Sequence, residues 1–159
     1  MNVECYVKSI GKMGDKYHAK LAELGESFTG RKLAKDAGIP GWVEEHKPRA
    51  RECYMNAAKY VILNDDDWSY YEGYWMWNAG AFPVHHAWLV DADGNVIDLT
   101  AEDCDRHADD SEPSADEYFG MMVPTWFVRQ EAVRTMEWGV VSDRWMQYLA
   151  EEEEREKAA

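Results

Sequence analysis

Two apolar-rich runs, one over residues 84–90 and one over residues 96–100, flank the turn-forming segment Asp91-Ala92-Asp93-Gly94-Asn95. That pattern predicts a β-hairpin. Gly94 suits the left-handed position after a type I turn, so the loop is expected to be Ala92, Asp93 and Gly94, closed by a bulge. Asp91 then faces Asn95, Trp88 lies opposite Asp98, and His86 sits one diagonal step away on the same face. A two-residue turn at Asp93-Gly94 would place His86 and Asp98 on opposite faces.

The rest of the pattern is helical at both ends. Residues 1–10 alternate loosely through Val3, Cys5 and Val7 and are read as a short strand. Asp15 is placed as the cap of a helix that buries Tyr17, Leu21 and Leu24 and stops at Gly25. A second short helix is expected from Thr29 to Gly38. A third runs over residues 49–63, with Pro48 in or near its first turn and Tyr54, Ala57, Ala58, Val61 and Ile62 on a buried face. Cys53 lies in its early part. The aromatic stretch 69–77 is a strand in which Gly73 marks a bulge or a close backbone approach. With the hairpin it makes an antiparallel meander, packed on one face by the Cys53 helix. Residues 101–117 read as an acidic exposed loop and 118–123 as a further strand. A helix then follows Pro124 to about Trp138. The last helix starts near Ser142, buries Trp145, Tyr148 and Leu149, and frays at Glu151-Glu152-Glu153-Glu154. One domain over 1–159 is expected, with a core over 49–128, N-terminal helices over 11–47 and a C-terminal helix over 142–157.

Composition narrows the function classes. Forty-six per cent hydrophobic and 13% aromatic residues argue for a packed core rather than disorder. A formal net charge of −14 argues against nucleic acid or an anionic membrane as partner, since both would repel the chain. No apolar run has the length of a membrane span, and no charged-then-apolar leader opens the chain. Cys5, Cys53 and Cys104 are too few and too irregularly spaced for a disulfide framework, so a cytoplasmic, reducing setting is expected.

The candidate chemistry is Cys53, His86 and Asp98, in the order nucleophile, base and orienting acid. A free thiol, with a pKa of about 8.5, is mostly protonated at neutral pH. An imidazole and a helix N-terminus both stabilise its thiolate. The same imidazole can protonate a leaving amine, and a carboxylate beside it fixes the tautomer and favours the imidazolium.

Glu52-Cys53-Tyr54, His86-Ala87-Trp88 and Asp98-Leu99-Thr100 resemble the transglutaminase-like branch of the papain-like cysteine enzymes, which has a Cys-aromatic pair opening a helix, a His-x-Trp strand and an Asp-x-Thr strand after a hairpin. The resemblance covers residues 49–100. It implies an α+β papain-like fold, an antiparallel sheet packed against the helix carrying the nucleophile. It also implies Cys53 as nucleophile, His86 as base and Asp98 as orienting acid. The expected reaction is hydrolysis or acyl transfer on an amide or ester through an acyl-enzyme, with a protein or peptide substrate and no cofactor. The strand Tyr70-Tyr71-Glu72-Gly73-Tyr74 before His85-His86-Ala87-Trp88 also looks like uncharacterised bacteriophage-encoded proteins. Glu52 and Tyr54 stand where transglutaminases carry Gly-x-Cys-Trp neighbours, and no Gln precedes Cys53 to bind an oxyanion. The backbone N–H of Cys53 can supply one donor, and Asn56, Trp42, Trp75 and Trp77 are candidates for a second.

Three alternatives complete the reading. His85 competes with His86 as base but lies on the opposite face of any regular strand. A metal site could draw on His85, His86, Cys104 and His107, although no second chelating pair completes it; no metal is expected. A non-catalytic acidic protein of phage type, bound to a basic host protein, would use the same fold.

Overall fold

The hairpin forms as the three-residue loop requires. In the computed structural model, which describes residues 2–32, 37, 49, 51–64, 68–77, 82–101 and 115–159, strand β3 (Val84–Asp91) pairs with β4 (Val96–Ile97) in the register Leu89↔Ile97 and Val90↔Val96. Asp91 N–H donates to the Asn95 carbonyl at 3.0 Å, and Gly94 N–H donates back to Asp91 at 3.0 Å. Gly94 takes φ +83°, the left-handed conformation that closes such a loop at no side-chain cost. The next step outward brings Asp98 opposite Trp88.

Among the described residues, five strands form one antiparallel sheet. Besides β3 and β4 these are β1 (Glu26–Thr29), β2 (Trp68–Met76) and β5 (Glu117–Val123), in the order β1-β5-β2-β3-β4. Lys32, just past β1, bridges Ile97 of β4, so the two ends of the sheet meet and the sheet curls. Phe28 of β1 touches the rings of Tyr71 and Trp88, two and three strands away in that order, which makes theirs the concave face. Gly73 and Gly120 pair across β2 and β5. A Cβ at Gly73 would lie 2.4 Å from Gly120 Cα, and one at Gly120 would lie 2.5 Å from the Trp88 ring. The expected close approach at Gly73 is therefore real, and it leaves a strip free of side chains for Trp88 to cover.

Helices cover the convex face. They are α1 (Val3–Lys12), α2 (Lys16–Leu24), α3 (Cys53–Leu63), α4 (Thr125–Thr135) and α5 (Ser142–Ala158). One cluster joins α3 and α4 to Tyr70, Ala87, Leu89 and Ile97 of the sheet. Another seats Val3, Val7 and Leu21 of the first two helices on Phe119 and Met121 of β5. The concave face holds a smaller aromatic core of Tyr71, Trp88, Val90, Val96 and Tyr118. Among the described residues no helix is long and apolar enough to cross a membrane.

Several expectations need correction. The first ten residues are helix, not strand. Val3 and Val7 are the buried positions, a four-residue spacing, whereas Cys5 between them is exposed, and Asn2 caps the helix by accepting from Cys5 N–H at 2.8 Å. The expected helix from Thr29 starts where a strand ends, because Thr29 closes β1; most of its remaining positions lie outside the described residues. β1 escaped notice because Phe28 is the one residue of its four that is even partly buried. The third helix begins at Cys53 rather than residue 49, since Arg51 has φ +66° and cannot continue a right-handed helix. The Pro124 helix stops at Thr135, with Met136 in the left-handed region. In the last helix Met146 is buried while Trp145, Tyr148 and Leu149 are half-buried, and the Glu151–Glu154 run stays helical through Ala158. The expected loop at 101–117 falls almost wholly outside the described residues, apart from its ends, and Glu117 already opens β5.

Candidate active site

Cys53 is the first helical residue of α3, where the orphan N–H groups and the helix dipole favour negative charge. The chain arrives there through the left-handed Arg51, a conformation that costs of order 1–3 kcal/mol for a residue with a side chain. Asn56, one turn into the helix, restrains that approach. Its Oδ1 accepts from Arg49 N–H at 3.0 Å, and its Nδ2 donates to the Arg49 carbonyl at 2.9 Å and to Thr100 Oγ1 at 2.7 Å. The start of α3 is thus tied to the segment that leaves β4, and Cys53 lies near enough to His86 to favour the charged imidazole.

His86 points to the concave face from β3, opposite Gly73. Its Nε2 and Asp98 Oδ2 are 2.7 Å apart, with both side chains buried. Nδ1 is the ring nitrogen left for the thiol. Asp98 is fully enclosed and saturated: Oδ1 accepts from Thr100 and Ala101 N–H at 3.0 and 2.9 Å, and Oδ2 also accepts from Tyr118 OH at 3.0 Å. Burial works against charge on His86, but the Asp98 charge and hydrogen bond, with a further contribution from Cys53, outweigh it and push its pKa up to about 10. Burial likewise disfavours the Asp98 carboxylate. The His86 charge and hydrogen bond, the Ala101 N–H and the charge of Arg31 override it and hold the carboxyl below its usual range. The indoles of Trp75 and Trp88 flank the imidazole, with ring centroids 4.8 and 6.4 Å away, and their π faces further suit a cation.

The second-donor candidates separate cleanly. Asn56 is corrected from donor to brace, because its whole amide is consumed by Arg49 and Thr100. Trp77 lies just beyond β2 and is 51% exposed. Trp75 touches His86, and its buried indole N–H has no hydrogen-bond partner among the described residues. Trp42 lies outside the described residues, as do Cys104 and His107.

His85 faces the other way. Its Nδ1 meets Tyr54 OH at 2.5 Å and its Nε2 meets Tyr17 OH at 2.7 Å. Burial, then the nearby His18 and His86, push its pKa down to about 4, so it stands neutral. His85 and His86 cannot share an ion from opposite faces of one strand. Among the described residues no group of three His, Cys, Asp or Glu side chains is placed to hold a metal.

Two features of the site had no sequence signal. Tyr118 OH reaches Asp98 only because β5 pairs with β2, and Arg31 acts on Asp98 from beside β1, its Nε donating to the buried Asp116 at 2.9 Å. A cleft of about 360 Å³ lined by Arg51, Glu52, Tyr54, Met55 and Trp138 adjoins the start of α3. A larger groove of about 460 Å³, between residues 27–32 and 94–96, includes none of the three candidate residues. Comparison with protein-family models, with curated proteins and with solved structures returned no match to this chain.

Proposed function

We propose that the protein is a thiol-dependent acyl-transfer enzyme of papain-like, transglutaminase-like architecture. The observation that carries this reading is the buried His86–Asp98 pair, 2.7 Å apart, beside a cysteine that opens a helix and helps raise the His86 pKa. A His with so raised a pKa is a poor base on its own. Paired with a thiolate it has no proton to remove, and its role in the first step is that of an acid.

In the proposed reaction the Cys53 thiolate adds to an amide carbonyl, forming a C–S bond and an oxyanion. Cys53 N–H and Trp75 Nε1–H are the donors proposed for that oxygen. The C–N bond breaks as His86 delivers its proton to the leaving nitrogen, and a thioester remains. Acylation removes the thiolate charge that helped hold the proton on His86. The neutral ring then accepts a proton from water or an amine as that nucleophile attacks the thioester, and the thiolate leaves. A peptide, isopeptide or glutamine amide fits this chemistry, in a reducing cytoplasmic setting.

A second reading, an acidic phage-type protein that docks on a basic host protein, draws on the net charge of −14 and on the burial of Cys53, a residue only 7% exposed. Alkylation separates the two. Iodoacetamide at mildly acidic pH, followed by peptide mapping, is expected to label Cys53 before the exposed Cys5, and Cys53→Ala is expected to abolish that label and all turnover of an amide panel. Labelling of Cys5 or Cys104 ahead of Cys53 would remove the enzyme reading. Cys53-dependent labelling without turnover of any amide would favour the binding protein.

A further inference from the structure

On the convex side of β3, a second polar assembly runs from the helix of Cys53 to the start of α5. Glu72 of β2 is fully buried among apolar residues, yet it accepts four hydrogen bonds: from Val141 N–H at 3.0 Å, Ser142 N–H at 3.1 Å, Ser142 Oγ–H at 2.6 Å and Tyr70 OH at 2.9 Å. It caps α5 from a distant strand. Burial pushes its carboxyl pKa up, and the bonds from Ser142, Val141 N–H and Tyr70 work against that shift. Two of the four partners are backbone N–H groups at a helix N-terminus, which can only donate, and on that geometry the group is assigned as a carboxylate.

That charge sets the direction of every bond beyond it. Ser142 spends its proton on Glu72, so at the 2.9 Å contact between Ser142 Oγ and Tyr17 OH the tyrosine must donate. With its proton spent, Tyr17 must accept from His85 Nε2–H at 2.7 Å. A neutral imidazole has one N–H, which leaves His85 Nδ1 as an acceptor for Tyr54 OH at 2.5 Å. The protons therefore all point one way, from Tyr54 to Glu72. Tyr54 is the residue next to Cys53.

We propose that His85, protonated on Nε2 and fixed by this chain, is a positioning residue: it grips Tyr54 and so holds the first turn of α3 with Cys53 against His86. The inference rests on the acyl-transfer reading above and extends it to how the nucleophile is oriented. One residue of β3 serves the thiol directly on the concave face, and its neighbour holds the thiol's helix from the convex face.

The test compares His85→Leu, which keeps bulk but neither bond, with His85→Gln, whose carbonyl accepts from Tyr54 and whose amide donates to Tyr17, alongside Tyr54→Phe. The rate of Cys53 alkylation by iodoacetamide is measured near pH 6 in the full chain. His85→Leu and Tyr54→Phe are each expected to slow it about tenfold, while His85→Gln stays near the wild type. Nitrogen-15 NMR of the wild-type histidines is expected to show His85 as the Nε2–H tautomer. Equal rates in all variants would overturn the positioning role, and an Nδ1–H tautomer would overturn the direction of the chain. A wild-type Cys53 with no reactivity near pH 6 would end the acyl-transfer reading and this proposal with it, whereas a reactive wild type with indifferent variants would end this proposal alone.

Discussion

His85 and His86 are chemically identical side chains one residue apart, and the two faces of β3 leave one neutral and the other positively charged. His86 looks into the curled sheet, where Asp98 compensates its burial and raises its pKa to about 10. His85 looks toward the helices, where its hydrogen-bond partners are neutral tyrosine hydroxyls, and burial, then His18 and His86, bring its pKa down to about 4. Burial opposes charge equally in kind on both sides. The difference is a carboxylate: Asp98 touches its histidine directly, whereas Glu72 is separated from His85 by Ser142 and Tyr17 and spends its charge on a helix start. A buried acid thus makes an imidazolium only by contact; at two hydroxyls' remove it orders protons instead.

The comparison can be broken most severely at Asp98. Asp98→Ala strands a buried imidazolium and two backbone N–H groups, and is expected to cost about 3–5 kcal/mol in urea unfolding and to slow the alkylation of Cys53. Asp98→Asn, which retains the acceptor for Thr100 and Ala101, is expected to be milder.

The next effect is on pH dependence, where the two histidines act with opposite sign. The stability contributed by His86 is fully present below its unfolded pKa of about 6.5 and is lost as pH rises toward 10. His85 resists protonation when folded, so its contribution is present above about pH 6.5 and is lost as pH falls toward 4. Asp98, its folded pKa lowered, adds a loss at still lower pH as it protonates. Each limb has a limiting slope of about 1.4 kcal/mol per pH unit. Denaturant unfolding across pH is expected to lose its alkaline limb in His86→Gln and to flatten between pH 6.5 and 4 in His85→Gln. If His85→Gln removed the alkaline limb instead, the assignment of charge to the two faces would be reversed.

The smallest effect on stability is expected at Trp75. Its buried indole N–H has no partner among the described residues, so Trp75→Phe removes an unmet donor along with some packing and should leave the urea midpoint close to wild type. The same change is expected to slow amide turnover about a hundredfold while leaving alkylation of Cys53 by a small reagent intact, because only the acyl reaction develops an oxyanion. Equal losses in both assays would mean that Trp75 supports His86 rather than the oxyanion.

Much of this was legible along the chain. The meander of β2, β3 and β4, the cap at Asp15 and the His86–Asp98 adjacency follow from local rules: two-residue alternation, a turn that needs Gly94, and a register that one loop length settles. The first helix was misread because a short segment with apolar residues two apart and four apart satisfies both periods, and only packing on β5 favours the helical one. The role of Asn56 was misassigned because its partners, Arg49 and Thr100, are joined by tertiary structure alone.

The sequence by itself determined which residues could share a face, since strand and helix periods are properties of the backbone. It therefore placed His85 and His86 apart and brought Asp98 to the side of His86. Only the tertiary structure decided what each face contains: Tyr118 on Asp98, Trp75 against the imidazole, Glu72 at the head of α5, and Cys53 delivered to His86 by a strained turn at Arg51. Charge, tautomer and proton direction depend on contacts within a few ångströms and on the absence of water, and such contacts between distant segments exist only once the sheet has curled and its helices have packed.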